Sequence, residues 1–265
     1  MKISIADIII SFELEYEEFR KKLKEVLAKF IVKSDRVDLK IKLNKVETYK
    51  LIDGNWDYFD ISLNNSKELK ISKWDINGKL NKDKTQGEFD IHKDIINFYP
   101  LIKFIILNIS SKFNTILLHS SSMVNKDYAL VASGVSGSGK STFAKKLEEE
   151  GFIILHDEIT LIRKINSSFY IYPTPFDYNP KHIVNFSQAR KLKTIFFLKR
   201  KEEKYIKNIS LKKFYKEILK VILAYEINRV KDYNKNLDIV NELYKAVKVK
   251  ELSFDINKTL VDKIL

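Results

Sequence analysis

The residues with the clearest capacity for chemistry form one glycine-rich segment in the second half of this 265-residue chain. It reads Gly134-Val135-Ser136-Gly137-Ser138-Gly139-Lys140-Ser141-Thr142 and matches the pattern G-x-x-x-x-G-K-[ST] in full. Glycines let successive backbone N–H groups face phosphate oxygens, and Lys140 would reach the β- and γ-phosphates of a nucleotide. Ser141 would bind Mg²⁺, and the helix that follows would direct its positive end at the anion. The segment therefore predicts a site for nucleotide phosphates.

The elements on either side of this segment support the same interpretation. Residues 128–132 form a short apolar run of the length of a buried strand, and residues 140–149 have the spacing of an amphipathic helix. Gly151 is suited to end that helix. Because a strand is predicted before the segment and a helix after it, the alternative of an ordinary glycine-rich turn is disfavoured.

An acidic pair follows the next apolar run. Residues 152–155 predict a strand that leads through His156 into Asp157 and Glu158. Carboxylates at a strand end beside a phosphate site are typical of a Walker B element, which holds Mg²⁺ or activates the attacking oxygen. Asp157 lies only 16 residues after Ser141, so this would be the strand that directly follows the helix. The alternative is a pair of exposed carboxylates with no chemical role.

The order of these pieces resembles that of HPr kinase/phosphorylase and its relatives, whose P-loop core is related to phosphoenolpyruvate carboxykinase. The matching pieces are His119, which lies 15 residues before Gly134, the glycine-rich segment, and residues 151–158. The resemblance covers roughly residues 115–200. It implies an α/β fold with a P-loop kinase core, and it implies ATP and Mg²⁺ as cofactors.

The resemblance also implies a role for each matching side chain. His119 would assist proton movement, Asp157 would be the general base for an acceptor hydroxyl, and Glu158 would bind Mg²⁺ directly or through water. Glu158 stands where the family has a second Asp, and which of the two carboxylates acts as the base is left open. Taken alone, a histidine on a strand is more often structural.

One part of the sequence departs from the bifunctional family members. Their signature after the acidic pair, a Glu-Ile-Arg-Gly type of stretch, is absent. Residues 172–180 read YPTPFDYNP instead, and this segment resembles the Pro-Thr-Pro-aromatic segment of HPr-kinase-related proteins found with peptide-modifying gene clusters. HPr is therefore not the expected acceptor, and phosphorylase activity is disfavoured. The alternative for this segment is a rigid turn bounded by prolines.

The hydrophobic pattern predicts two domains, a small strand-rich N-terminal module at residues 1–94 and a P-loop kinase domain at residues 95–265. In the first, strands are predicted at residues 3–13, 37–43, 58–63, 69–74 and 88–91, with a helix at 16–30 and a hairpin or loop at 77–86. In the second, further strands are predicted at residues 115–119, 159–163, 169–172, 194–198 and 249–254, and helices at 95–113, 211–226 and 237–247.

Composition excludes several classes of protein. The absence of cysteine excludes disulfide scaffolds, thiolate metal sites and thiol nucleophiles. The net charge of +13 is concentrated in residues 181–250, where 16 Lys and 3 Arg face 7 Asp and Glu. Such a region either forms a solvated lysine-rich surface or attracts an anionic partner. No signal peptide or membrane span is apparent, so we expect a cytoplasmic protein without a membrane partner.

These observations together predict an ATP-dependent kinase that transfers the γ-phosphoryl group to a hydroxyl. The expected acceptor is Ser or Thr of a peptide or protein other than HPr, or a small molecule. One alternative is a P-loop ATPase without an acceptor, although transporter-type Leu-Ser-Gly-Gly-Gln and guanine-specific Asn-Lys-x-Asp motifs are absent. A nucleic-acid-binding protein is the least favoured, because no zinc, RNP or helix-turn-helix signature is present. The resembled family forms oligomers, and a homo-oligomer is left open, as is a phosphoryl donor other than ATP.

Overall fold

Alternating apolar and polar residues in the first hundred positions produce a seven-stranded mixed sheet. The computed structural model describes residues 1–46, 60–63, 68–73, 76–92, 98–176, 189–223, 231–255 and 264. These residues separate into an N-terminal unit, Met1–Ile109, and a C-terminal unit, Ser110–Leu265. The chain is mixed α/β, with two sheets and five α-helices in this described part.

The sheet of the N-terminal unit has the strand order β1-β2-β3-β7-β6-β5-β4. Strand β3 pairs in parallel with β2 and with β7, and the other neighbours are antiparallel. The strands are β1 (Lys2–Ile5), β2 (Ile8–Leu14), β3 (Leu39–Val46), β4 (Asp60–Leu63), β5 (Leu69–Lys73), β6 (Ile76–Leu80) and β7 (Gln86–His92). The helices are α1 (Glu17–Val26) and α2 (Phe98–Ile109).

Two features of this unit differ from the sequence-based expectation. The single strand predicted at residues 3–13 is a hairpin, because Ala6 and Asp7 both have positive φ (51° and 56°) and form the two-residue turn between β1 and β2. Helix α2 packs in the N-terminal unit, with the Phe98 ring 5.4 Å from Phe12. The predicted boundary at residue 94 assigned this helix to the second domain, whereas the structure divides after Ile109.

The C-terminal unit contains a nine-stranded sheet whose strands partly close into a ring. The chain order β10-β8-β11-β12-β13-β16-β14 is supplemented by β9, which pairs with both β8 and β13, and by β15, which pairs with β8. The strands are β8 (Thr115–Val124), β9 (Tyr128–Ser133), β10 (Ile153–His156), β11 (Ile159–Ile165), β12 (Ser168–Tyr172), β13 (Arg190–Leu198), β14 (Tyr205–Asn208), β15 (Ile222–Leu223) and β16 (Lys248–Ser253). The helices are α3 (Lys140–Glu149), α4 (Leu211–Ile218) and α5 (Lys231–Ala246).

Side chains that alternate along β13 divide the core of this unit into two clusters. Phe196 and Leu198 pack with α3 residues such as Phe143, whereas Phe197 packs with α4 and α5 residues such as Phe214. Because neighbouring residues of a strand point to opposite faces, α3 lies on one face of β13 and α4 and α5 lie on the other.

Several predicted elements agree with the structure, and some are shorter or longer. Helix α3 has the predicted bounds, and β9 and β10 lie where apolar runs predicted strands. The helix predicted at residues 211–226 ends at Ile218, and β15 follows it. Strand β8 continues five residues beyond the predicted end at His119. No helix in the described part of the chain is long and apolar enough to cross a membrane.

Candidate phosphate-binding site

Residues 134–139, here called the glycine loop, connect the end of β9 to the start of α3. Strands β9, β13 and β16 are parallel, so their carboxyl ends meet at one edge of the sheet, where open α/β sheets bind ligands. Gly134 has φ 152°, and a Cβ there would lie 2.6 Å from Ser138 Oγ. Gly139 has φ 96° immediately before the helix. Both positions therefore require glycine, one for space and the other for its backbone conformation.

Lys140 is the first residue of α3 and is buried, with 8% of its surface exposed. Its Nζ donates to the carbonyl oxygens of Gly134 (3.1 Å) and Val135 (3.4 Å). Burial lowers the pKa of Lys140, while the negative charge of Asp157 acts in the opposite direction. The ammonium group therefore contacts neutral carbonyls of the glycine loop, and the negative charge of Asp157 partly offsets the effect of burial on its pKa.

The glycine loop also contains a buried hydroxyl with unused hydrogen-bonding capacity. Ser138 is 7% exposed, and its Oγ has no hydrogen-bond partner among the described residues. An unsatisfied buried polar atom is costly unless a ligand or water completes it. A hydroxyl and a lysine at the N-terminus of a helix suit the oxygens of a phosphate, so these residues fit the nucleotide that the sequence predicts.

Asp157 and Glu158 lie in the turn between β10 and β11, and both are exposed. Asp157 Oδ1 accepts a 2.6 Å hydrogen bond from the Oγ of Ser121, a residue of β8. The backbone carbonyl of Glu158 accepts from the N–H of Ser120 (3.0 Å). Strand β8 therefore fixes both the backbone of this turn and one carboxylate in it.

His119 lies on β8, is half-buried, and pairs in register with Ile159 of β11. Its carbonyl accepts from Ser133 Oγ at 3.2 Å, and Ser133 is the residue directly before Gly134. The structure thus brings the strand segment of His119, the start of the glycine loop and the acidic turn to one edge of the sheet.

His156, by contrast, has a structural role. It is 1% exposed, and its Nε2 lies 2.9 Å from the carbonyl oxygen of Tyr172. This contact ties the end of β10 to the end of β12, which supports the turn that carries Asp157 and Glu158.

The side chains proposed for Mg²⁺ do not form a closed protein site. The described residues contain no group of three His, Cys, Asp or Glu side chains that could hold a metal ion. Ser141 and Glu158 are both exposed. Mg²⁺ commonly binds through one or two protein oxygens together with water and substrate phosphates, so these two residues fit an ion that arrives with a nucleotide.

The described part of the proline-rich segment is packed rather than open. Phe176 is 8% exposed, and Thr174 is 2% exposed with an Oγ1 that lacks a partner among the described residues. The remaining residues of this segment, 177–180, lie outside the described residues.

Sequence patterns did not reveal the serine run that follows His119. Ser120, Ser121 and Ser122 are each fully buried on β8, beyond the predicted end of that strand. The available signal was a triplet of serines between His119 and Met123, and such triplets also occur in loops. Only the strand pairing shows that Ser121 reaches Asp157.

Comparison with known proteins finds similarity among solved structures. No protein-family model and no curated protein matches the chain. Among solved structures, the HPr(Ser) kinase/phosphatase from Coxiella burnetii is similar, with 13% identity and a TM-score of 0.25. The match covers 49% of this chain and 97% of the other. This similarity is weak and carries no functional argument.

Proposed function

We propose that the C-terminal unit is an ATP-dependent kinase that transfers the γ-phosphoryl group to a hydroxyl acceptor. The proposal is carried by two features at one edge of the sheet: the glycine loop that leads into Lys140, and the Asp157 carboxylate that Ser121 Oγ holds at 2.6 Å. The negative charge of Asp157 acts to raise the pKa of Lys140. Phosphoryl transfer needs a phosphate site and a group that takes the acceptor proton, close to one another.

The glycine loop and the start of α3 would hold the phosphates. Backbone N–H groups, the Ser138 hydroxyl and the Lys140 ammonium supply hydrogen bonds and positive charge. Lys140 would exchange its contacts with two neutral carbonyls for stronger, charge-assisted bonds to phosphate oxygens. Ser141 and Glu158 would hold Mg²⁺, which neutralises charge on the phosphates when it is bound.

Asp157 would be the general base for the acceptor. Its carboxylate takes the proton of the acceptor hydroxyl while that oxygen forms a bond to the γ-phosphorus. The bond between the γ-phosphorus and the β–γ bridging oxygen breaks, and ADP leaves. His119, whose strand segment borders the glycine loop, would assist proton movement at this edge.

The acceptor class follows from the sequence around the site. Prolines limit the conformations of residues 172–180, and a rigid segment suits a peptide or a small organic molecule at low entropic cost. The described aromatic side chains of this segment, Tyr172 and Phe176, are buried and support its backbone. We propose Ser or Thr of a peptide or protein other than HPr, because the Glu-Ile-Arg-Gly type of stretch is absent.

The basic residues of this unit give little support to nucleic-acid binding. Several of the lysines between residues 181 and 250 are paired within the unit: Lys199 and Lys220 with Glu217, and Lys207 and Lys213 with Glu251. Lysines that neutralise internal carboxylates contribute less to an external field, which favours a solvated and internally compensated surface.

The proposal is tested with the full chain, Mg²⁺ and ATP labelled at the γ-phosphate, in the presence of HPr, Ser/Thr peptides, small alcohols or no acceptor. We expect label on a peptide hydroxyl and ADP release that depends on the acceptor. Equal ADP release with every acceptor and with none would favour the ATPase alternative. Stoichiometric labelling of HPr would contradict the acceptor class, and no ATP consumption under any condition would overturn the proposal.

A further inference from the structure

The hydrogen bond between Ser121 and Asp157 joins a buried residue to an exposed one. Ser121 is fully buried, whereas Asp157 is exposed in the turn after β10. Ser121 Oγ lies 2.6 Å from Asp157 Oδ1 and also 3.4 Å from the carbonyl oxygen of the same residue. We propose that Ser121 is a positioning residue that fixes the Asp157 carboxylate for proton abstraction. This inference rests on the proposed kinase function.

Strand β8 gives the Ser121 hydroxyl a fixed location. Ser121 pairs in register with Ala132 of β9, and the next residue, Ser122, pairs with His156 of β10. The strand is therefore held by β9, which leads into the glycine loop, and by β10, which leads into Asp157. A donor on such a strand moves little relative to either element, so it can set the distance between carboxylate and phosphate site.

The bond also selects which carboxylate oxygen is available. Oδ1 is occupied by the serine hydroxyl, so Oδ2 is left to take the proton from an acceptor hydroxyl as that oxygen attacks the γ-phosphorus. A carboxylate in an exposed turn otherwise samples several rotamers, and each departure from the reactive geometry lowers the rate. The serine hydroxyl keeps its own proton throughout, because it only donates a hydrogen bond.

Ser122 provides a matched control. It is the neighbouring residue on β8, it is also fully buried, and its Oγ has no hydrogen-bond partner among the described residues. Adjacent residues of a strand face opposite sides. Ser122→Ala therefore removes the same atom from the same strand without touching Asp157.

The test is a double-mutant cycle on the full chain with Ser121→Ala, Asp157→Asn and the combination. A hydrogen bond to a charged group corresponds to about a tenfold change or more in rate, so we expect Ser121→Ala to lower kcat by about tenfold. The KM for ATP should change by less than about twofold, because the glycine loop is untouched. In the Asp157→Asn background, Ser121→Ala should have no further effect on kcat. Ser121→Thr, which keeps the hydroxyl, should recover most of the rate, and Ser122→Ala should resemble wild type.

Thermal unfolding of the same variants distinguishes a failure of this inference from a failure of the proposed function. Non-additive changes in the unfolding midpoint would report the bond without requiring turnover. Additive effects on kcat in active enzyme, or a Ser121→Ala rate equal to that of Ser122→Ala, would overturn the positioning role while leaving the kinase function intact. A wild type that consumes no ATP at all would overturn both.

Discussion

Two groups of charged residues in the C-terminal unit are treated differently by the fold. Where β16 meets β14 and α4, Glu251 is buried, accepts a 2.8 Å hydrogen bond from the Tyr205 hydroxyl and has its closest cation, Lys213, at 2.6 Å. At the carboxyl edge of the sheet, Lys140 contacts neutral carbonyls and Asp157 contacts a serine hydroxyl. The carboxylate of the first group is paired with cations of the same unit, whereas Lys140 and Asp157 of the second group have neutral hydrogen-bond partners.

The electrostatics of the two groups show the same contrast. Burial acts to raise the pKa of Glu251, but hydrogen bonds from Lys213 and Tyr205 outweigh it, so the pKa is lowered. Burial and the Glu251 carboxylate raise the pKa of Tyr205 to about 12. Burial lowers the pKa of Lys140, which means that its charged form lacks full compensation. Internal pairing therefore stabilises the fold, and the incomplete pairing of Lys140 agrees with the phosphate site that we propose.

The largest expected effect on activity comes from a substitution of Lys140. Lys140→Ala should abolish measurable ATP turnover and weaken nucleotide binding, because the loss of one such contact costs roughly 3 kcal/mol or more in the transition state. Steady-state ADP release and calorimetric titration with ATP measure the two effects. Lys145→Ala, an exposed change on the same helix, should leave both unchanged. A folded Lys140→Ala protein with normal turnover would refute the phosphate-site assignment.

Asp157→Asn should have the next largest effect. The amide keeps the shape of the side chain and cannot take the acceptor proton, so phosphoryl transfer should fall by roughly 10²-fold to 10⁴-fold. Nucleotide binding should be largely kept, because the glycine loop is unchanged. The measurement is kcat for acceptor phosphorylation beside the Kd for ATP. Transfer at a near wild-type rate would reassign the base, with Glu158 as the next candidate.

The sequence predicts those features of the two groups that depend on residues close together in the chain. The glycine loop was predicted from consecutive residues, because phosphate contacts need glycines and a lysine in a fixed order. Helix α3 and strands β9 and β10 were predicted from their apolar patterns over short ranges. Each of these elements is determined by residues close to one another in the chain.

The features that sequence reasoning missed depend on contacts between distant residues. Ser121 and Asp157 are 36 positions apart, and only the pairing of β8 with β10 and β11 brings them together. Glu251 pairs with lysines from β14 and α4, and β14 itself was not predicted. The boundary of the N-terminal unit was placed too early, because the pattern of α2 shows an apolar face and not which sheet that face covers.

In the group of charged residues around Glu251, the substitution Glu251→Gln should reduce the stability of the fold without changing turnover. The loss of a buried carboxylate that accepts from Lys213 and Tyr205 should cost about 2 kcal/mol of unfolding free energy at pH 7. The folded-state pKa lies below the ordinary value of 4.5, so this contribution is present above about pH 4.5 and is lost as the pH falls through the folded-state pKa. Urea unfolding at pH 7 and at pH 3 measures the difference from wild type, which should shrink at pH 3.

The matched control for that prediction is an exposed ion pair in the same unit. Glu149 lies 3.2 Å from Lys146 on α3, and its side chain is 69% exposed. Glu149→Gln should cost less than about 0.5 kcal/mol at either pH, because solvent screens such a pair. Equal effects of the two substitutions at pH 7 would show that Glu251 is not a stabilising centre.

The smallest effect should come from Glu158→Gln, the partner substitution to Asp157→Asn in the same turn. Both side chains are exposed, but among the described contacts only the Asp157 side chain accepts a hydrogen bond from β8, and its charge acts on the pKa of Lys140. A carboxylate that binds Mg²⁺ directly or through water contributes part of the ion's affinity, while phosphates and water supply the rest. We therefore expect Glu158→Gln to raise the Mg²⁺ concentration for half-maximal turnover several-fold, with kcat at saturating Mg²⁺ within about threefold of wild type. Titration of turnover with Mg²⁺ at fixed ATP measures this shift. A loss of kcat that saturating Mg²⁺ does not restore would give Glu158 a direct part in the chemistry and would exchange the roles of the two carboxylates.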